Sequence, residues 1–147
     1  MQSPLGLMVG VLVGAYAVLV AACAVLVAAL VGSFINLAAD RVPRGESVVR
    51  PRSRCRSCGR VLNLVDLIPV AGYLIRRGRC ATCGVQIGAS APLIEGLCAL
   101  SMLVAISLLG LALGAAVGFA AVALTGAIWV GTSVARAPIR RGGSRLG

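Results

Sequence analysis

Histidine and lysine are both absent from this 147-residue chain, and only four residues are acidic: Asp40, Glu46, Asp66 and Glu95. Without histidine there is no imidazole general acid or base, no serine–histidine triad and no mixed cysteine–histidine metal site. Aromatic residues make up 3% of the sequence and charged residues 12%, against 59% hydrophobic residues, an apolar excess beyond what a soluble single-domain core needs. Charge is missing altogether from two long stretches, residues 1–39 and 96–135.

The first stretch holds a run from Leu5 to Leu30 of almost only Leu, Val, Ala and Gly, longer than the roughly 20 residues that cross a bilayer, and it reads as a first transmembrane helix. A cleaved signal peptide opens with a positive segment and carries an apolar run of about 7 to 15 residues. Here the start is uncharged and the run is too long. The second stretch, 40 residues, would reach about 60 Å as one helix, twice the roughly 30 Å hydrocarbon thickness. It is expected to fold back within the glycine-dotted segment Gly110 to Gly118, giving helices near 92–109 and 115–134.

All fourteen basic residues are arginines, and the formal charge is +10. Ten of them, from Arg41 to Arg79, fall between the first and second spans; Arg136, Arg140, Arg141 and Arg145 follow the third. Arginine-rich segments stay on the cytoplasmic side. Three spans meet this condition, with the N-terminus outside, the loop inside, the hairpin turn outside and the tail inside. Two spans or four would strand one arginine cluster on the wrong side. The expected organisation is a first transmembrane helix in 1–39, a cytoplasmic arginine-rich loop in 40–90, a transmembrane hairpin in 91–135 and a basic cytoplasmic tail in 136–147.

The loop contains Arg54-Cys55-Arg56-Ser57-Cys58-Gly59 and Arg79-Cys80-Ala81-Thr82-Cys83-Gly84, two CxxCG knuckles with 21 residues between them. This spacing matches a four-cysteine zinc ribbon. A CxxC turn aims two thiolates at one ion from a tight bend, and the glycine after the second cysteine tolerates positive φ. Cys55, Cys58, Cys80 and Cys83 are the candidate zinc ligands. Four thiolates on Zn²⁺ carry a formal −2 charge, which Arg54, Arg56, Arg60 and Arg79 can offset, and a closed site of this kind is structural. Two disulfides or free redox thiols are the alternative, disfavoured in a reducing cytoplasm. The fold class is thus a mainly α membrane protein, three transmembrane helices with a small cytoplasmic four-cysteine zinc ribbon, built of short strands or turns, between helices one and two.

Other residues have structural explanations. Cys23 and Cys98, inside the spans, read as small packed apolar residues. Gly6, Gly10 and Gly14, and again Gly110, Gly114 and Gly118, recur every fourth residue, a spacing that lets helices approach closely in lipid. Trp129 is expected near a membrane interface. Between the knuckles, the apolar segment 64–75 is too short to span, so it covers the ribbon or lies at the membrane surface. Asp66 is placed to cap a turn before Pro69, while Asp40 and Glu95, at helix ends, are placed to pair with Arg41 or another arginine. Asp66 and Glu95 are also the weak candidates for a catalytic role.

From Gly32 to Leu97 the chain resembles the N-terminal region of the type IV prepilin leader peptidase and N-methyltransferase family. The matching pieces run in family order: Gly32-Ser33-Phe34-Ile35-Asn36, Arg41-Val42-Pro43, Gly45-Glu46-Ser47 and Arg50-Pro51-Arg52-Ser53 before the first CxxC. Asp66-Leu67-Ile68-Pro69-Val70, Arg77-Gly78-Arg79 before the second CxxC, and Pro92-Leu93-Ile94-Glu95 follow. The resemblance implies a membrane enzyme of the inner membrane that cuts the leader from pilin-like precursors at the cytoplasmic face and methylates the new N-terminus with S-adenosylmethionine. The family's proteolysis uses two later aspartates, one of them in a GxGD motif. No GxGD occurs here, and no acidic residue follows Glu95. Ser90-Ala91 also stands where the family commonly has Arg-Tyr, and there is no glycine-rich nucleotide fingerprint, so the methyl donor rests on the resemblance alone.

The expected function is a stand-alone counterpart of that N-terminal region, acting in processing or methylation of pilin-like precursors with a partner subunit that carries the GxGD aspartates. A non-enzymatic zinc-ribbon membrane adaptor for pilus or secretion assembly is the alternative. Nucleic-acid binding is not expected, because topology already accounts for the arginines and Tyr73 is the only aromatic residue in the loop.

Overall fold

The computed structural model describes residues 3–50 and 52–137. Arg140, Arg141 and Arg145 of the expected basic tail lie outside the described residues. Four α-helices follow in order: α1 Pro4–Arg41, the short α2 Ala71–Ile75, α3 Ser90–Leu109 and α4 Leu111–Ala135. Of these, α1, α3 and α4 are long and apolar enough to cross a membrane, which makes the chain a mainly α membrane protein with three candidate spans. Side chains such as Leu19, Leu100 and Leu124 are more than half exposed, the outward face that lipid requires.

Helix α1 begins with Ser3 as its cap, the hydroxyl accepting from the Gly6 amide at 3.2 Å, and with proline in the first turn, where its missing N–H costs nothing. The helix runs well past Leu30, because no proline interrupts it before Pro43. There it tightens into a 3₁₀ turn, Val42–Arg44, closed by Gly45 at φ 69°. At 38 residues α1 is about 57 Å long, and its buried residues, Ala28, Ala29, Gly32, Ile35, Ala39 and Arg41, all belong to its second half. Against that half lie α3 and α4, around a core of Ala28, Ile35, Ile94, Cys98, Met102 and Val122, with Trp129 packed at its margin.

The hairpin between α3 and α4 turns at a single residue, Gly110, with φ 79° and ψ 173°. The reversal thus falls within the expected segment Gly110–Gly118 but at its first residue, so the last helix starts at Leu111 and not near 115. Gly114 and Gly118 lie inside α4 and are buried, because α3 comes so close that a Cβ on Gly114 would stand 2.5 Å from the Ala105 carbonyl oxygen. That part of the glycine ridge is a packing surface. The ridge of Gly6, Gly10 and Gly14 is not one within the described residues: Gly10 and Gly14 have nothing within 4 Å, since the first half of α1 extends past the hairpin. The same geometry corrects the reading of Cys23, which is exposed, whereas Cys98 is fully buried as expected.

Candidate metal centre

The two knuckles fold alike. In the first, the Cys55 amide donates to the Arg60 carbonyl at 2.8 Å, the Gly59 amide to the Cys55 carbonyl at 2.9 Å, and Arg54 forms an antiparallel bridge with Val61. In the second, the Cys80 amide donates to Val85 at 2.9 Å, the Gly84 amide to Cys80 at 3.0 Å, and Arg79 bridges Gln86. Gly59 and Gly84 turn the chain at φ 73° and 68°, a conformation that a side chain disfavours. Among the described residues the two knuckles hold isolated bridges of this kind and no strands, and the loop between them adds a 3₁₀ turn, Val65–Leu67, and the short α2, which the expectation of strands or turns did not include.

Facing each other, the knuckles bring the four Sγ atoms of Cys55, Cys58, Cys80 and Cys83 within 4.8 Å of one another. Cys55 and Cys83 are 3.8 Å apart and Cys58 and Cys80 3.9 Å. Zn–S bonds of about 2.3 Å in a tetrahedron place sulfurs about 3.8 Å apart, while a disulfide needs about 2.05 Å. The cysteines are free thiols, and the cluster fits a four-coordinate metal ion and not a disulfide pair. The backbone amides of Cys83 and Thr82 hold the Cys80 thiol down at about 6, and those of Cys58 and Ser57 lower Cys55. Cys58 is pushed up to about 11: although the Arg60 amide favours its thiolate, burial and the three neighbouring thiols outweigh it. One sulfur is thus ready as a thiolate at neutral pH, and another keeps its proton until a cation displaces it.

Behind the first knuckle stands Asp66, its side chain only 7% exposed. Its carboxylate accepts from Arg60 and Arg76, the latter at 2.7 Å, and from the Asn63 amide at 3.1 Å; in return the Asp66 amide donates to the Asn63 Oδ1 at 3.1 Å. Burial raises the Asp66 carboxyl, but Arg76, the Asn63 amide and Arg60 together hold it below the usual carboxylate range. The expected turn cap is present, and so are two ion pairs that the spacing did not reveal. The Arg60 guanidinium is raised chiefly by Asp66 and further by the neighbouring Cys80, which ties the carboxylate to the sulfur cluster.

Glu95 differs from expectation. It is 6% exposed, and its Oε2 accepts from the amide of Val70 at 2.6 Å. Arginine pairing goes instead to Asp40, which binds Arg44 at 2.6 Å and also Arg56 of the first knuckle. The reason is position: Glu95 sits where α3 crosses α1 at Gly32, sheltered from the arginines and next to a backbone donor. Val70 adopts φ 56°, unusual for a β-branched residue, to present that donor. Arg41, 7% exposed, donates to the Ser47 carbonyl at 2.7 Å and pins the start of the loop. Neither Arg41 nor the Val70–Glu95 contact was legible as a site residue, because each depends on backbone atoms of a distant segment.

Helices and cluster together define a class: a polytopic membrane protein whose first inter-helix loop carries four thiols placed so that they could hold one metal ion. The model of the family described as Bacterial Peptidase A24 N-terminal domain matches residues 26–109, more than half of the chain, and the chain belongs to this family. It is 51% identical over 65 residues to the prepilin leader peptidase/N-methyltransferase of Myxococcus xanthus, covering 44% of this chain and 19% of that protein. Against the Bacillus subtilis protein of the same name it is 38% identical over 66 residues, 45% of this chain and 27% of the relative. The Dichelobacter nodosus prepilin leader peptidase/N-methyltransferase is 31% identical over 133 aligned positions, 71% of this chain and 42% of the relative. The chain thus spans less than half the length of these curated relatives. No solved structure matches it.

Proposed function

We propose that the chain acts as the cysteine-loop module in leader cleavage or N-methylation of pilin-like precursors at the cytoplasmic face of the inner membrane. Its four cysteines hold a structural zinc ion. The reading is carried by one coincidence: the region matched by the family model, 26–109, contains all four sulfurs that converge on one point. The relatives' names supply the reaction. The arginine distribution supports an orientation with the loop and C-terminal end inside and the N-terminal end of α1 outside.

Four thiolates leave zinc no open position, so the ion fixes the two knuckles and the residues around them, and it binds no substrate itself. We assign Asp66 and Glu95 to the same task, since the hydrogen bonds of each are already given to the loop. Peptide-bond cleavage needs a pair of carboxylates that these 147 residues do not offer in GxGD form. A separate GxGD membrane subunit supplies it, and S-adenosylmethionine supplies the methyl group. The adaptor alternative is not favoured, because the relatives are named as enzymes.

The test is reconstitution of the metal-loaded chain, alone and with a GxGD membrane protein, with a pilin precursor peptide and S-adenosylmethionine, read by mass spectrometry. Leader removal or a methyl gain that depends on this chain is expected. A folded, zinc-loaded chain that changes neither reaction refutes the proposal.

A further inference from the structure

The apolar segment between the knuckles does not cover the ribbon. Leu64 is 80% exposed, Leu74 65%, Ile75 60% and Ile68 46%, in a stretch that includes the 3₁₀ turn Val65–Leu67 and α2. Such a density of exposed large side chains marks a surface that something apolar covers. Three observations say what. First, the segment is fastened to the spanning helices: the Val70 amide reaches Glu95 of α3, and Glu95 lies against Gly32 of α1. Gly32 precedes the charged cluster at Asp40 by eight residues, or about 12 Å of helix. Second, the helix to which the segment is hydrogen-bonded presents large apolar side chains outward near the same level, with Leu93 and Leu97, two residues either side of Glu95, 68% and 51% exposed. Third, the only carboxylate of the segment, Asp66, is ion-paired with the flanking Arg60 and Arg76, a group that keeps a net positive charge, while Arg77 and Arg79 stand exposed at the segment's end. An apolar strip whose one acidic group is ion-paired and whose edge is basic is the composition that lies in the boundary between headgroups and acyl chains.

We infer that residues 64–75 form an interfacial anchor whose apolar side chains lie in the inner leaflet, with anionic headgroups against Arg77 and Arg79. Through Asp66 and Arg60 this anchor fixes the height of the sulfur cluster above the bilayer. The inference goes beyond the proposed reaction and stands without it.

The test places single tryptophans in the full metal-loaded chain, in a Trp129→Phe background, in nanodiscs of phosphatidylcholine and phosphatidylglycerol. Leu64→Trp and Leu74→Trp probe the anchor, Leu100→Trp on α3 is the lipid-exposed reference, and Val49→Trp reports the rest of the loop. Lipids brominated high on the acyl chain are expected to remove fluorescence from the two anchor positions to a degree comparable with Leu100→Trp, and to spare Val49→Trp. Quenching at Leu100→Trp but at neither anchor position overturns the inference, as does equal quenching at Val49→Trp. The unaltered chain gives a second reading should a variant fail to fold. After illumination with a diazirine-bearing lipid, trypsin, which cuts after arginine, releases residues 61–76 as one peptide. Lipid adducts on it are expected, and their absence while α3 peptides are labelled overturns the inference.

Discussion

Asp66→Asn keeps the shape of the side chain and removes its charge, at a carboxylate that is 7% exposed and accepts from Arg60, Arg76 and the Asn63 amide. Placed where Oδ2 stands, the remaining amide oxygen can still accept from Arg60 and the Asn63 amide, so the bond from Arg76 is lost and the other two lose the carboxylate charge. Hydrogen bonds to charged groups contribute about 1.5–3 kcal/mol each. The arginines are 24% and 31% exposed, however, and water takes over part of their solvation. The expected loss is about 2 kcal/mol, or about 30-fold in the local opening equilibrium. Hydrogen exchange in nanodiscs should therefore show about 30-fold less protection across 63–76, with the amides of α3 and α4 unchanged. The pH dependence has a definite sign. Because the folded carboxyl is depressed, its stabilisation is complete above about pH 4 and is lost as pH falls through the folded value, and the Asn variant lacks this acid-side step. Unchanged protection in a folded variant would refute the structural assignment of Asp66. Loss of precursor processing with protection intact would give the residue to chemistry instead.

Gly114→Ala sets a Cβ 2.5 Å from the Ala105 carbonyl oxygen and 2.7 Å from its carbon, and should destabilise the helix bundle by about 1–3 kcal/mol in SDS titration, whereas Gly10→Ala, with open space around it, should cost nothing and favour the helix by up to about 1 kcal/mol. Gly72→Ala would meet the Val65 and Asp66 carbonyl oxygens at 2.6 and 2.9 Å, and is expected to shift α2 away from the 3₁₀ turn and lower the bound zinc per chain by elemental analysis. Substituting any one of Cys55, Cys58, Cys80 or Cys83 by serine should weaken or abolish the sulfur-to-metal charge-transfer band of the cobalt-loaded chain, while Cys23→Ser leaves it intact. Loading at neutral pH should release the proton held by Cys58, so cobalt affinity should already fall as pH is lowered from neutral, and fall more steeply below about 6, where protons also compete for Cys80.

Much of this molecule is fixed by one-dimensional patterns with strong physical consequences. Two uncharged stretches of 39 and 40 residues can only be membrane helices, and the length of the second forces a reversal. Paired CxxCG motifs place four thiols on two identical turns, and glycine after the second cysteine announces the bend. Three-dimensional contact decided the rest. Gly110 and Gly114 look the same in sequence, yet one is a turn and the other a close contact, because only the approach of α3 distinguishes them. In sequence, Asp66 likewise reads as a turn cap and Glu95 as an arginine partner at a helix end. Burial joined one to two arginines and the other to a backbone amide 25 residues away, a choice that depends on how the loop docks against the crossing of α1 and α3. Charge, length and local spacing act along the chain and can be read there, while the partner of a buried polar group is set by which distant segment happens to exclude water from it.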